Sequence, residues 1–275
     1  MRTRRQALGQ HFLRDKSVIE KILSQVAIAA EKVKPTAIVE VGPGDLALTK
    51  GLTGIASRLG CPLFLIERDR RLADIIQMGI KENGIGTPPE IHFFDAAQDE
   101  FLSFFATLQS RGLDRVLFAS NLPYSASSQI LANLCQVATQ VLAAVVMVQK
   151  ELADRMIAPA GGHDRGSFSL LMQSYFQLSQ CFDVSPGAFH PPPKVMSSVL
   201  TLNPLIPSPI FALKKPFEFQ RFCQKIFSQR RKMIRKLVPP EALLSFSKLG
   251  ISGTERPETL PLEIFVKLYL LSGGL

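Results

Sequence analysis

Five short apolar runs, each separated from the next by a longer segment, set the strongest limit on how this chain can fold. The runs lie at 37–41, 62–66, 91–94, 115–119 and 141–148, and most of them contain β-branched residues. The segments between them are long enough for a helix. Strands that alternate with helices form βαβ units, so the pattern predicts five parallel strands in a sheet that helices cover on both faces.

Two further strand-like runs, at 180–184 and 195–202, lie close together, with prolines at 186 and 191–193 between them. Parallel strands need a long connection that usually contains a helix, and none fits here. These two strands are therefore expected to pair as an antiparallel hairpin. The predicted fold class is α/β, a Rossmann-like sheet of five parallel strands plus that hairpin.

The composition changes after residue 204. Four prolines lie between 203 and 216, which is typical of a linker. Beyond it, apolar residues recur at helical spacing from Phe219 to Ile226, and two more amphipathic stretches follow. We predict three segments: a first domain over 1–204 with a basic N-terminal segment at 1–16, a proline-rich linker over 205–216, and a small all-helical domain over 217–275.

Basic residues are concentrated at both ends of a chain whose net charge is +9. Residues 1–16 contain five Lys/Arg against one acid, and residues 214–236 contain nine against one. Such a surplus indicates a polyanionic partner, either nucleic acid or an anionic membrane surface. A solvated helix face is the usual explanation of a basic run, but this density favours contact with RNA phosphates. The residues expected to make that contact are Arg230, Arg231, Lys232, Arg235 and Lys236.

Several classes of protein are disfavoured. The four cysteines are far apart without a C-x-x-C pair, and the four histidines are scattered, so we expect no metal site and a reducing compartment. The longest uncharged stretch, 116–149, is interrupted by polar residues and is not expected to span a membrane. The basic residues 1–5 precede no apolar signal segment. We expect a cytoplasmic protein, while the N-terminal arginines leave a mitochondrial transit peptide open.

A glycine turn, Gly42-Pro43-Gly44, follows the first predicted strand. Such a turn lets the backbone approach a ligand closely at a helix N-terminus, although a purely structural tight turn is an equal alternative. Position 47 is alanine, so the third glycine of the dinucleotide-binding fingerprint is absent. This departure favours a nucleoside-bearing cofactor without a pyrophosphate.

Acidic residues stand at the ends of the next two strands. Glu67 lies 25 residues after Gly42 at the end of the second strand, and Asp95 closes the third. The first carboxylate is suited to accept both hydroxyls of a ribose, and the second to accept an adenine amine. The alternative for the first is an acid at a helix N-terminus, which would suit Asp69 better than Glu67, and Asp95 could equally be an N-cap. Because the carboxyl ends of parallel strands share one edge, we expect all three features in one crevice.

The sharpest signal is Asn121-Leu122-Pro123-Tyr124, at the end of the fourth strand. An amide oxygen, a proline-fixed backbone and an aromatic face suit a planar base whose exocyclic amine must be held and modified. The amine of adenine is a poor nucleophile, because its lone pair is delocalised into the ring. The Asn121 side-chain oxygen and a backbone carbonyl, which we assign to Leu122, would hold both N–H groups and aim the lone pair at an electrophilic methyl group. Tyr124 would stack on the base, which is worth about 1–3 kcal/mol. A turn with a packed tyrosine is the simpler alternative.

Taken together, the motifs resemble the ribosomal RNA adenine N6-dimethyltransferase family over nearly the whole chain. The motifs that carry the resemblance are Gln10-His11-Phe12-Leu13, Val39-Glu40-Val41-Gly42-Pro43-Gly44, Ile66-Glu67-Arg68-Asp69, Asp95-Ala96, Asn121-Leu122-Pro123-Tyr124, Phe189-His190-Pro191-Pro192-Pro193-Lys194-Val195 and Gln229-Arg230-Arg231-Lys232. The resemblance implies a class I methyltransferase fold and S-adenosylmethionine as cofactor. It also implies dimethylation of two adjacent adenosines near the 3′ end of small-subunit (16S) rRNA during ribosome assembly.

The resemblance also implies roles for individual residues. Those expected to contact the methyl donor are His11, Leu13, Gly42, Gly44, Glu67, Asp95 and Asn121. Gln10 and Phe12 would belong to a segment that folds over the donor pocket, and Phe189 would be a second aromatic residue near the target base. The family usually has asparagine at the position of His11, and Asn-Ile-Ser where this chain has Ser125-Ala126-Ser127. At these positions, where the chain departs from the family, the resemblance therefore implies no particular side-chain contact.

Two alternatives remain open from the sequence. A large-subunit rRNA methyltransferase of the macrolide-resistance type would share fold and cofactor, although the Pro-Pro-Pro-Lys-Val stretch and the basic tail favour the small-subunit substrate. A non-catalytic RNA-binding assembly or transcription factor on the same scaffold would need no intact donor pocket. For the favoured function, the expected partner is the small ribosomal subunit precursor, and the enzyme is expected to act as a monomer without a metal or a membrane.

Overall fold

The structure, a computed structural model, describes residues 11–82, 88–205 and 216–271. These residues form two compact units. The first contains the described residues up to Ala153 together with Ser179–Asn203, and the second contains Asp154–Leu178 together with the described residues from Pro204 onward.

The first unit is built on a seven-stranded sheet. Its strands are β2 (Ala37–Val41), β3 (Leu63–Glu67), β4 (Glu90–Phe93), β5 (Val116–Asn121), β6 (Val141–Gln149), β7 (Phe176–Val184) and β9 (Ser197–Pro204), in the order β4-β3-β2-β5-β6-β9-β7. The first three residues of β7 and the last residue of β9 belong to the second unit. The strands from β2 to β6 pair in parallel, each with its neighbour in that order. The α/β class and the five parallel strands expected from the apolar runs are therefore confirmed.

The strand β9 reverses the direction of the sheet. It pairs antiparallel with β6, from Gln149 opposite Ser197 to Ala144 opposite Leu202, and its other neighbour is β7. The two runs predicted as a hairpin are thus neighbouring strands, with β9 between β6 and β7. Because β9 is antiparallel, it begins at the edge where β5 and β6 end.

A second, two-stranded sheet was not predicted. The strand β1 (Phe12–Leu13) pairs antiparallel with β8 (Phe189–His190). The pairing is reinforced by His11, whose ring Nδ1 lies 2.7 Å from the carbonyl oxygen of Pro191. A carbonyl can only accept, so Nδ1 carries the hydrogen of this bond.

Helices cover the sheet of the first unit. They are α1 (Lys16–Val33), α2 (Thr49–Leu59), α3 (Ala73–Glu82), α4 (Glu100–Ser110) and α5 (Ser127–Gln136). The helix α1 begins after Asp15, whose carboxylate accepts the backbone N–H groups of Ser17 and Val18. This cap satisfies two of the N–H groups that have no partner within a helix, so the sequence fixes where α1 begins. The strand β2 is buried along its whole length, which explains why all of its residues except Glu40 are apolar.

The second unit is helical. It contains α7 (Ser167–Tyr175), α8 (Pro216–Phe227), α9 (Pro240–Leu243), α10 (Phe246–Leu249) and α11 (Leu262–Leu271), while α6 (Lys150–Ile157) runs across the division between the units. Most of the predicted linker, 206–215, lies outside the described residues. The helical C-terminal region expected from the sequence is present.

The boundary of the second unit differs from the sequence-based one at residues 154–178, which were assigned to the first domain. The helix α7 packs against α8 and α11. Arg165, which is 2% exposed, donates to the carbonyls of Ala158 and Leu260 and so ties this segment to the C-terminal residues. Contacts this distant in sequence leave no local pattern, so the first 25 residues of the unit were not recognised.

Candidate active site

A cavity opens at the carboxyl ends of β2 to β5 and brings the predicted site residues together. Ten of them line it: His11, Leu13, Gly42, Gly44, Glu67, Asp95, Asn121, Leu122, Pro123 and Tyr124. They come from four strand ends and from the segment containing β1. Ligands of open α/β sheets bind at this edge because the loops that follow the strands diverge there.

The glycine turn after β2 has the backbone conformation that only glycine adopts easily. Gly42 and Gly44 have φ angles of 69° and 54°. A Cβ atom at Gly44 would lie 3.2 Å from the ring of Phe12, and one at Gly42 would lie 3.7 Å from Pro123. Phe12 therefore lies against the turn, whereas Gln10 lies outside the described residues.

Glu67 ends β3 and is only 7% exposed. Its Oε1 accepts the backbone N–H of Asp69 at 2.8 Å, which fixes the carboxyl group at the cavity wall. Burial raises the pKa of this carboxyl, and hydrogen bonds from Asp69, Gly44 and Arg68 oppose that rise. A buried carboxylate of this kind gains from a ligand that donates further hydrogen bonds.

Asp95 follows β4 and shares its carboxylate between two groups. Oδ1 accepts the backbone N–H of Ala97 at 3.0 Å, and Oδ2 accepts from the guanidinium of Arg68 at 3.3 Å. The Arg68 side chain is mostly exposed, so the second bond is easily exchanged for one to a ligand amine.

Glu40 is a site residue to which the sequence reasoning gave no role, although it lies within the quoted Val39–Gly44 motif. It lies in β2, is almost fully buried, lines the cavity, and accepts the hydroxyl of Thr49 at 2.7 Å. Burial raises the pKa of Glu40 to about 8, the Thr49 bond opposes the rise, and the nearby Glu67 adds to it. The carboxyl is therefore predominantly protonated at neutral pH.

Asn121 is the last residue of β5, and its side chain faces the cavity. Within the parts of the chain that the structure describes, its amide has no hydrogen-bond partner from the protein. The next residue is fixed, because the Leu122 N–H donates to Met147 at 3.0 Å. The carbonyl of Pro123 accepts both the Ala126 N–H and the Ser127 hydroxyl. Asn121 and Leu122 thus line the cavity, while the turn that follows them is held by its own hydrogen bonds.

Tyr124 completes this loop. Its hydroxyl lies 2.6 Å from the Ser197 hydroxyl, and its ring centroid lies 5.9 Å from that of His11. Burial raises the pKa of the Tyr124 phenol, so the group is neutral at physiological pH. The ring therefore offers an uncharged aromatic face at the cavity wall.

Two sets of predicted residues lie elsewhere. Phe189 is 4% exposed in β8, packs in the core and does not line the cavity, so the structure does not place it where an aromatic contact to a base would require. The reason is its pairing with Leu13, which turns the ring inward. The five basic residues expected to bind RNA are all exposed in the second unit, from Arg230 to Lys236, and occupy a turn and a short 3₁₀ helix, not an α-helical face.

Comparison with known proteins identifies the family. The sequence model of the ribosomal RNA adenine dimethylase family matches residues 1–271. The chain belongs to this family. It is accordingly an rRNA adenine dimethyltransferase, and its methyl donor is S-adenosylmethionine.

Individual relatives of this dimethyltransferase cover nearly its whole length. It is 35% identical over 271 residues to the ribosomal RNA small subunit methyltransferase A of Pseudomonas savastanoi pv. phaseolicola, covering 96% of this chain and 92% of the relative. It is 34% identical over 273 residues to the protein of that name from Bordetella pertussis, with coverage of 98% and 95%.

Solved structures support the fold. A dimethyladenosine transferase from Plasmodium falciparum superimposes with a TM-score of 0.75 at 23% identity, covering 94% of this chain and 96% of that one. The 23S rRNA methyltransferase ErmE superimposes with a TM-score of 0.64 at 19% identity, with coverage of 95% and 99%. At these identities the likeness concerns the fold alone.

The cavity of the dimethyltransferase fits the charge of its donor, a sulfonium cation. Besides the protonated Glu40, its lining includes one arginine, Arg68, and four acidic side chains: Asp45, Glu67, Asp69 and Asp95. At Gly42 and Gly44 the lack of a Cβ atom lets Pro123 and Phe12 lie close to the turn. Among the described residues, no group of three or more His, Cys, Asp or Glu is arranged to hold a metal ion. Nor does any helix there combine the length and hydropathy of a membrane span.

Proposed function

We propose that this enzyme transfers methyl groups from S-adenosylmethionine to the N6 atoms of two adjacent adenosines near the 3′ end of small-subunit (16S) rRNA. It would act on the small-subunit precursor in the cytoplasm, as a monomer. Two observations carry the proposal: no described residue of the protein hydrogen-bonds the Asn121 amide, and the neutral Tyr124 ring lines the same cavity, together with Glu67 and Asp95.

The donor would be held by the ends of three strands. Glu67 would accept the ribose hydroxyls, and Asp95 would accept the adenine amine in place of its exchangeable bond to Arg68. The turn at Gly42 and Gly44 would lie against the amino-acid end, and the segment with His11 and Leu13 would cover the donor. When bound, the donor supplies an electrophilic methyl group, and the acidic wall favours its positive charge.

The target amine would be held by the loop after β5. The Asn121 side-chain oxygen and the Leu122 carbonyl would accept its two N–H groups and orient the lone pair of nitrogen toward the methyl group. The Pro123 carbonyl is already engaged by two donors, which supports Leu122 as the second acceptor. No general base is needed, because the methylated amine is acidic and releases its proton to water. The rate enhancement would come from positioning.

Tyr124 would support the face of the base. An adenosine inside a helix cannot reach the cavity, so the nucleotide must leave its stack, and an aromatic face offsets part of that loss. Phe189 is in the core, whereas Tyr124 and the neighbouring ring of His11 both line the cavity.

The basic turn of the second unit would hold the surrounding RNA. Arg231, Lys232, Arg235 and Lys236 are exposed, and Arg230 donates to the carbonyl of His163 while remaining exposed. Exposed cations in a cluster bind phosphates with little sequence preference, which suits recognition of a folded RNA by shape and charge.

The small subunit is the favoured substrate because the relatives at about 35% identity are named for it. The likeness to ErmE is weaker and supports the fold only. The deciding experiment incubates the enzyme with labelled S-adenosylmethionine and either small or large ribosomal subunits that lack the modification. Digestion and nucleoside analysis should yield N6,N6-dimethyladenosine from small subunits alone. Product from large subunits, or binding without transfer, would overturn the proposal.

The same assay tests the role of Asn121. Asn121→Ala should lower methyl transfer by about 10²- to 10³-fold, because the amine loses an acceptor that positions it. Asn203→Ala, in β9, is the matched control and should transfer at the wild-type rate. A wild-type rate for Asn121→Ala would remove this residue from the mechanism.

A further inference from the structure

Tyr124 is tied to a strand that the sequence reasoning did not connect with the site. Its hydroxyl lies 2.6 Å from the Ser197 hydroxyl, although the two residues are 73 positions apart. Ser197 is the first residue of β9 and is completely buried. No role was assigned to it from its sequence context.

The sheet explains why this serine reaches the loop after β5. Ser197 pairs with Gln149, the last residue of β6, so it lies at the carboxyl edge of the parallel strands. Two residues further along β9, Val199 pairs with Met147, and Met147 pairs with Asn121 on its other side. The start of β9 is thus held in fixed register with the loop that carries Tyr124.

The hydrogen bond between the Tyr124 and Ser197 hydroxyls restricts the orientation of the phenol ring. A tyrosine side chain at a cavity wall turns about two side-chain bonds, and a stacking partner must be held in one orientation to stay parallel to a base. The Ser197 side chain has little freedom, because it is buried within a paired strand. It therefore fixes the outer end of the ring, while the backbone of the loop fixes the inner end.

We infer that Ser197 is a positioning residue for methyl transfer, which holds the Tyr124 ring in the plane that the target adenine stacks on. This inference rests on the proposed function of the cavity. Ser197 itself touches neither substrate nor donor, and acts through the tyrosine hydroxyl.

The neighbouring Ser198 provides a matched control. It is equally buried, and its hydroxyl donates a bond of the same length, 2.6 Å, to Asp183 on β7. Successive residues of a strand point to opposite faces, so Ser198 cannot reach Tyr124. A loss of stability from removing a buried hydroxyl should occur in both variants, whereas a loss of positioning should occur in one.

The first measurement is single-turnover methyl transfer to small subunits at saturating donor. Ser197→Ala should slow the chemical step by about 3- to 10-fold, with unchanged affinity for donor and subunit. Tyr124→Phe should slow it equally, since it removes the same bond. The double variant should be no slower than either one, because the bond can be lost only once. Ser198→Ala should transfer at the wild-type rate.

The second measurement observes the ring directly and needs no activity. The chain has three tyrosines, Tyr124, Tyr175 and Tyr269, so ring-labelled tyrosine gives few NMR signals to assign. Ser197→Ala should shift and average the Tyr124 ring signals, and Ser198→Ala should leave them unchanged. A wild-type rate for Ser197→Ala would overturn the inference, as would additive losses in the double variant or unchanged Tyr124 signals. If the wild-type enzyme transfers no methyl group, the proposed function fails, and the NMR result still decides whether Ser197 holds the ring.

Discussion

The cavity at the carboxyl edge of the sheet and the basic turn from Arg230 to Lys236 use charge in opposite ways. In the cavity, the carboxyl group of Glu67 is buried and is fixed by a 2.8 Å bond from the backbone N–H of Asp69. In the turn, the cations are exposed to solvent. A buried charge interacts strongly with its neighbours, and its ionisation is sensitive to pH. Each exposed charge contributes only a weak interaction, which salt screens. Under the proposed function, the first region carries out the chemistry and the second supplies affinity for RNA.

The largest expected effect concerns the buried acid. Folding raises the pKa of Glu40 from 4.5 to about 8, so the folded state binds more protons than the unfolded state between those values. The free energy of unfolding should therefore fall as pH rises from 4.5 to 8, by on the order of 4 kcal/mol from this group alone. Urea unfolding at several pH values should show this fall in the wild-type protein. In Glu40→Gln, which cannot ionise, that component should vanish.

A pH dependence of stability that is the same in Glu40→Gln and the wild type would contradict the assignment of a buried, protonated carboxyl. The side chains of the exposed basic turn are the same in both proteins, so they should contribute nothing to the difference in pH dependence between the wild type and Glu40→Gln. If the two proteins showed the same pH dependence, burial could not be what distinguishes the acidic groups of the cavity from the cations of the turn.

An intermediate effect is expected from the basic turn. The triple variant Arg230→Gln, Arg231→Gln and Lys232→Gln should weaken binding to the small subunit by about 10-fold or more at moderate salt. The slope of log affinity against log salt should become shallower by about 2, because each phosphate contact contributes roughly 0.7–0.9. Filter binding over a salt series measures both quantities.

The control for that variant removes equal charge elsewhere. Lys21, Lys32 and Lys81 are exposed residues of α1 and α3, and their replacement by glutamine changes the net charge by the same amount. The control should keep most of the affinity and the original slope. If both variants lose affinity equally, only net charge matters and the turn is not a specific RNA contact.

The smallest expected effect is on stability, and it comes from replacing a glycine outside the cavity. It is compared with the replacement of a glycine in the turn after β2. Gly54 lies within α2, and a Cβ atom there would meet nothing within 4 Å. Gly54→Ala should raise the free energy of unfolding by about 0.5–1 kcal/mol without changing donor affinity. Gly44→Ala, which introduces a Cβ 3.2 Å from Phe12 at positive φ, should weaken donor binding. Equal donor affinity in the two variants would argue against a role for the glycine turn.

The parallel strands and most of the cavity lining could be predicted from sequence because their signals are local. Each strand is an apolar run, and each proposed ligand group directly follows one. The strands β1 and β8 have two residues each and carry no periodic pattern. Their pairing joins positions nearly 180 residues apart, so only the folded chain reveals it.

The same reasoning explains what was missed within the site. The Ser197 hydroxyl bonds to Tyr124, which lies 73 positions away in the sequence, and the residues around Ser197 resemble those around any serine in a strand. Phe189 was expected at the cavity on the strength of resemblance, but its pairing in β8 turns it into the core. A motif indicates which residue types occur together, whereas the direction of each side chain depends on strand pairing.

The most direct test of the account measures two affinities in two variants, Glu67→Ala in the cavity and the triple basic-turn variant. Calorimetric titration gives the dissociation constant for S-adenosylmethionine, and filter binding gives that for the small subunit. Glu67→Ala should weaken donor binding by about 10- to 100-fold through the lost ribose contacts and leave subunit binding unchanged. The triple variant should do the reverse. Equal loss of both affinities in either variant would contradict the separation of chemistry from RNA binding.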